Sequence, residues 1–196
     1  KLEKYINTHR EEFDAKRIKI GKSIYKGFLV LRLMNLIPTF NKKGVAYGAT
    51  LKVGDVQIGS DKFGHFHAQG MIYFEKAFLQ GLGIQAALDW GYAKESGSGG
   101  VKTTNVYSSG DLTANFNGMR FWTHLLAKYP DPLRDDPIKG PYIICQDNIW
   151  VKVKSFDWKD YIDDSFDESI NCSQFRTKRL ATKIKENLSK LHIKLG

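Results

Sequence analysis

Glu95 stands at the end of an expected helix that also carries Trp90 and Tyr92, and a glycine/serine run, residues 96–100, breaks the chain directly after it. A carboxyl in that position suits acid catalysis. The C-terminal end of a helix bears partial negative charge and disfavours ionised glutamate, and neighbouring aromatic rings withhold the water that would stabilise the anion. The small residues that follow leave room for a sugar ring. Asp111 is the natural second carboxylate, placed where the next helix begins. A pair of carboxyls serves glycoside hydrolysis at about 5–5.5 Å for retention and about 6.5–9.5 Å for inversion. Ser109-Gly110-Asp111 is equally a helix-capping sequence, so Asp111 has a purely local alternative. Tyr107, Ser108, Ser109, Asn115 and Asn117 add hydroxyls, amides and an aromatic face of the kind that lines sugar sites, with Trp90 and Tyr92 opposite.

A rival centre lies in Asp61-Lys62-Phe63-Gly64-His65-Phe66-His67. Asp61, His65 and His67 offer the ligand types of zinc or iron. On a helix, however, positions i and i+2 point about 200° apart, so both histidines cannot face one ion. Asp61 and His65 also suit a hydrogen bond at a helix start. No metal and no cofactor is therefore expected; a metallohydrolase on these three residues stands as one alternative, and a non-catalytic envelope-binding protein as the other. Neither a GxSxG element nor a P-loop nor a GxGxxG fingerprint is present. Cys145 and Cys172 have no nearby motif histidine. They are expected to be buried, either bridged, as an exported protein would allow, or as two separate thiols.

These residues must be held by a body of helices. Apolar spacing predicts a helix over 8–36 with a break near Gly21, short strands at Thr50 to Val53 and Val56 to Ile58, and a helix from a Ser60 or Asp61 cap to about Leu82. Ile84 to Lys94 continues as helix after a glycine turn. A hairpin-like return is expected through Val101 to Ser108, then a helix over Leu112 to Lys128 with Leu112, Phe116, Met119 and Trp122 inward. Four prolines in 130–141 mark an irregular connection, and a hairpin follows around Gln146-Asp147-Asn148. Trp158 to Ile170 is an acidic helix candidate. Ser173 to His192 is a basic amphipathic one, with Phe175, Leu180, Ile184, Leu188 and Leu191 inside. The fold class is α+β, mainly helical.

The 196 residues suffice for one domain with a real core: a basic helical extension over 1–43, a core over 44–175 and a basic C-terminal helix over 176–196. The net charge of +9 is uneven, at +7, −4 and +6 over those three stretches. No nucleic-acid motif accompanies it, so no nucleic-acid partner is expected. No apolar run is long enough for a membrane span. The basic ends are expected to make electrostatic contact with anionic envelope surfaces.

Glu95-Ser96-Gly97 at a helix end resembles the catalytic glutamate–serine element of the lysozyme-like superfamily. Residues 103–122 (TTNVYSSGDLTANFNGMRFW) and 156–173 (FDWKDYIDDSFDESINCS) resemble exported proteins of Gram-negative bacteria that include lysozymes of predatory species acting on deacetylated peptidoglycan. The resemblance spans about Asp61 to Cys172. It implies a lysozyme-like fold with a small β-region at the cleft lip, a secreted or periplasmic location with any signal peptide removed, peptidoglycan glycan strands as partner, and Glu95 as the general acid of a glycoside hydrolase. A preference for deacetylated glycan would follow from carboxylates that attract free amines. The glycine–leucine–glutamine element that follows the glutamate in many transglycosylases is missing. The second carboxylate, and the choice between hydrolysis and a transglycosylase course, stay open.

Overall fold

The computed structural model describes residues 19–20, 50–59, 61–133, 138–167 and 173–190. Within them the chain is α+β and mainly helical, with three small antiparallel sheets. Strands β1 (Lys19–Ile20), β2 (Thr50–Val53) and β3 (Val56–Gly59) form the first sheet in that order. The β2–β3 hairpin turns at Gly54, whose φ of +61° is a left-handed conformation that glycine adopts without strain. Lys19 and Ile20 were expected inside a helix; instead they pair with Lys52 and Leu51. The rest of that expected helix lies outside the described residues.

Helix α1 (62–79) alternates α-helical pieces, Lys62–Gly64 and Gly70–Phe74, with π-helical turns, His65–Gln69 and Glu75–Leu79. Asp61 precedes it but makes no side-chain cap, because its carboxylate turns to Lys62 at 3.0 Å. π-winding loosens the regular hydrogen-bond ladder, and the carbonyl of His67 accepts a bond from Trp122 Nε1 at 3.0 Å. Helices α2 (Ile84–Ser96) and α3 (Val101–Thr104) follow, the latter occupying part of the expected hairpin-like return. Only β4 (Val106–Tyr107) is extended there, and it pairs with a strand from the far end of the chain rather than locally.

Helix α4 (Ser109–Leu126) is the axis of the molecule. Its expected single apolar stripe is too narrow a description. Ala114, Met119, Phe121 and Leu125 are all buried, with Met119 facing one cluster and the other three facing the second. One cluster gathers Phe66, Phe121, Tyr142, Tyr161 and Phe166; the other gathers Tyr73, Phe74, Ala77, Ala87 and Met119. Helices α1 and α4 meet at glycines. A Cβ on Gly70 would sit 2.6 Å from the Gly118 backbone, and one on Gly118 would overlap the Phe66 carbonyl. Gly118→Ala should therefore cost about 1–3 kcal/mol or more through forced separation of the helices. Gly64→Ala, exposed and with nothing within 4 Å of the new methyl, should gain up to about 1 kcal/mol. Urea unfolding of the pair checks both signs.

Strands β5 (Ile143–Gln146) and β6 (Ile149–Lys152) make the expected hairpin, with Asp147 and Asn148 at φ +49° and +61° in its turn. Cys145 is exposed on β5, not buried as expected. Cys172 lies outside the described residues, and so does the pairing of the two. The expected acidic helix is instead two 3₁₀ turns, Trp158–Asp160 and Asp164–Phe166. The reason is local: Asp157 and Asp163 each accept the amide two residues on, from Lys159 and Ser165, which favours turns over a continuous helix. Strand β7 (Gln174–Phe175) pairs with β4, so Phe175 belongs to a strand and not to the last helix. Helix α5 (Lys178–Lys190) buries Leu180 and Ile184; Leu191 and the side chain of Leu188 lie outside what is described.

Candidate active site

Glu95 occupies the last turn of α2 and is 4% exposed. The turn after it folds back tightly, so that a Cβ on Gly100 would lie 2.5 Å from Glu95 Oε1. The same oxygen accepts the Ser108 amide at 2.9 Å, which leaves Oε2 as the atom that carries a proton. Burial raises the Glu95 pKa from its ordinary 4.5 to about 7, and the negative charge of Asp111 adds to the rise. The Ser108 bond and the nearby His65 and Lys62 oppose it. Glu95 thus sits where an acid that works near neutral pH must sit.

Asp111 reaches the same place from the first turn of α4. Ser108 caps that helix, its Oγ accepting the Asp111 amide at 3.1 Å. The expected capping role thus falls to Ser108, and the Asp111 carboxylate is free to act at longer range. One oxygen lies 2.6 Å from Lys62 Nζ, the other 3.2 Å from His65 Nε2. Lys62 is 2% exposed and also holds Asp61. Burial alone would raise Asp61, but the charges of Lys62 and His65 outweigh it and hold its carboxyl below the usual range. His65 Nδ1 and Asn115 Oδ1 are 3.0 Å apart, so the imidazole is held between Asn115 and Asp111. Asn115 also hydrogen-bonds the Tyr73 hydroxyl, whose pKa burial raises.

Asp61, His65 and Asp111 bring ligand atoms within 4.8 Å of one another. The expected alternative trio is not assembled: His67 Nδ1 bonds the Phe63 carbonyl at 2.9 Å and its ring packs on Phe66 and Trp158. In the trio that does form, the ammonium of Lys62 bridges the two carboxylates. It supplies there the positive charge a metal would bring, from a side chain that is itself 2% exposed.

The expected sugar wall is brought together only in part. Tyr92 is 52% exposed beside Glu95, and Tyr107 is half-buried. Trp90 is turned onto Tyr73, with Lys76 Nζ 5.6 Å from its ring centre. Ser108 is the cap, Ser109 is half-buried beside it, and Asn115 is an inner partner of His65. Asn117 leaves the site altogether: its Oδ1 accepts from Arg120 Nη1 at 2.9 Å.

That bond leads into a second buried network. Arg120 donates from Nε and Nη2 to Asp131 at 3.0 and 3.1 Å. His124 Nε2 lies 2.6 Å from Asp131, and His124 Nδ1 lies 2.7 Å from the Tyr161 hydroxyl, which lies 2.9 Å from that of Tyr142. Burial lowers the His124 pKa, against the pull of Asp131. Asp131 and Tyr161 thus flank the imidazole on its two nitrogens.

Sequence reasoning missed Lys62 and Tyr73. Lys62 was read only as part of a histidine motif, although Asp61, Lys62 and His65 fall within one helical turn. Asp111, Asn115, Gly118 and Trp122 likewise repeat at three and four residues along α4, a stripe that meets α1. Compared with known proteins, the chain matches no family model, and neither a curated sequence nor a solved structure matches it significantly.

Proposed function

We propose that this chain is a lysozyme-type glycoside hydrolase of bacterial peptidoglycan, exported to reach that substrate, with Glu95 as the general acid. The observation that carries the reading is a buried glutamate held near pH 7 beside a fixed carboxylate. Glu95 Oε2 would protonate the glycosidic oxygen as the bond breaks. Asp111, clamped by Lys62 and His65, has little freedom to attack carbon. Its role would be to hold the proton on Glu95 and to stabilise the oxocarbenium-like transition state. Attack would then come from water, or from the muramic-acid side chain as in a transglycosylase. Tyr92 and Tyr107 would offer their rings to the sugar. A helical body with a strand pair at its edge is compatible with the lysozyme-like layout that the resemblance implies. Support for the activity comes from the chemistry of the site. Digestion of purified peptidoglycan, followed by release of soluble fragments, tests the reading, and inertness of the wild-type chain toward both acetylated and deacetylated wall would end it.

Lys62 is the positioning residue of this scheme. Activity needs protonated Glu95 and should fall as pH rises through about 7. Lys62 is among the charges that pull the Glu95 pKa down, along with His65, while Asp111 pushes it up. Lys62→Met should therefore move the basic limb of the profile upward. It should also lower kcat on the order of 10²-fold, because Asp111 loses its clamp. Lys62→Arg should restore the limb but not the full rate. A limb that stays in place in Lys62→Met, with the fold intact, would separate Lys62 from the site.

A further inference from the structure

The exposed charges on the segments that adjoin Glu95 are mostly basic. Residues 96–110, which run from the Glu95 turn through α3 and β4, contain one charged side chain, Lys102. Residues 173–185, which supply β7 and the start of α5, contain five basic residues and no acid. The two stretches are joined directly. Tyr107 pairs with Gln174, and the Arg176 amide donates to the Asn105 carbonyl at 3.0 Å. Lys94, Lys102, Arg176, Lys178 and Arg179 are all exposed around this junction. Among the described residues none of the five has a carboxylate partner. Two of them stand in the first turn of α5, which has no acidic residue, although basic side chains are the unfavourable choice at that end of a helix. Like charges gathered within about one Debye length repel one another unless an anion is present.

Inside the site the balance differs. Asp61 and Asp111 lie against Lys62 and His65, so the exposed charge that an incoming strand meets first is that of the rim.

We infer that this rim binds a glycan strand carrying carboxylate or phosphate groups and leads it to Glu95. The rim is a binding surface in its own right; that its occupant is also the substrate rests on the hydrolase reading. The rim selects against free amines, the opposite of the preference drawn from the resemblance.

The experiment measures binding of the full chain to four probes at two salt concentrations: hyaluronan oligomers for carboxylates, polyglycerol phosphate for phosphates, chitosan oligomers for amines, and duplex DNA. Lys102→Ala/Arg176→Ala/Arg179→Ala removes rim charge, and Lys152→Ala/Lys154→Ala/Lys159→Ala removes the same charge elsewhere. Wild type and Glu95→Gln should both bind hyaluronan or polyglycerol phosphate, less tightly as salt rises. The rim variant should lose about tenfold or more, and the control variant less than about twofold. Whichever anionic polymer binds tighter names the group. Equal binding by the rim variant and wild type overturns the inference, as does tighter binding of chitosan or of DNA. If the rim binds as described while wild type digests no wall, the rim stands and the hydrolase reading falls.

Discussion

Glu95→Gln should reduce release of fragments from peptidoglycan by about 10³-fold or more, to the background of the assay. General acid–base action contributes typically about 10²–10⁴-fold, and the amide has no proton to give. The fold should survive, since glutamine keeps an oxygen for the Ser108 amide. Stability supplies an independent reading. A carboxyl shifted from 4.5 to about 7 is biased against ionisation by about 3 kcal/mol. The native chain binds this proton more tightly than the unfolded chain. Its contribution is thus complete below pH 4.5 and is lost as pH rises to about 7. Above pH 7 the wild type keeps a buried anion that the glutamine variant lacks. The variant should therefore be the more stable protein at pH 8, by up to about 3 kcal/mol, and differ little at pH 4. Urea midpoints at the two values decide the matter. A variant that is no more stable at pH 8 would show that Glu95 meets water freely, and the acid role would go with it.

The second large effect is on folding. Asp131→Ala should cost about 3–5 kcal/mol, the usual penalty for leaving one member of a buried ion pair alone. Asp131 is 5% exposed and Arg120 4%, so the guanidinium would lose, inside the protein, the carboxylate it donates to from Nε and Nη2. His124 would lose its partner at the same time. For a domain with about 5–15 kcal/mol in hand, this is enough to leave a large unfolded fraction at moderate temperature. Arg120→Met/Asp131→Leu should recover much of the loss, because it removes both charges together. Equilibrium unfolding of the three proteins distinguishes a charge effect from loss of packing: a double variant as unstable as Asp131→Ala would indicate packing.

Much of this was legible in the residues. The hairpins at Gly54 and at Asp147-Asn148, the α2 helix ending beside Glu95, and the helix that carries Asp111 all follow from turn chemistry and spacing. So did the juxtaposition of Glu95 with Asp111, although not the cause of it. What stayed hidden depends on distant partners. Periodicity cannot distinguish a helix with one buried stripe from one buried on several sides, so only the stripe of Leu112, Phe116, Met119 and Trp122 was expected inward on α4. The segment from Trp158 onward has helical composition, yet the side chains of Asp157 and Asp163 divert its backbone into turns. Asn117 looked like a sugar ligand because its type fits. Only the fold shows it turned toward Arg120. Lys62 was overlooked for a related reason: a lysine is read as solvated until two carboxylates are seen around it.

The enclosure of α4 has one more consequence. The helix carries Ser109, Gly110 and Asp111 to the acid site at its start and His124 to the Arg120 network near its end, with both clusters packed along its length. Amide protons at its centre have no small local opening through which to exchange with deuterium; they are released only when both clusters come apart. The slowest-exchanging amides should lie around Met119, and the Glu95 end and the Arg120 end of the molecule should melt as one unit.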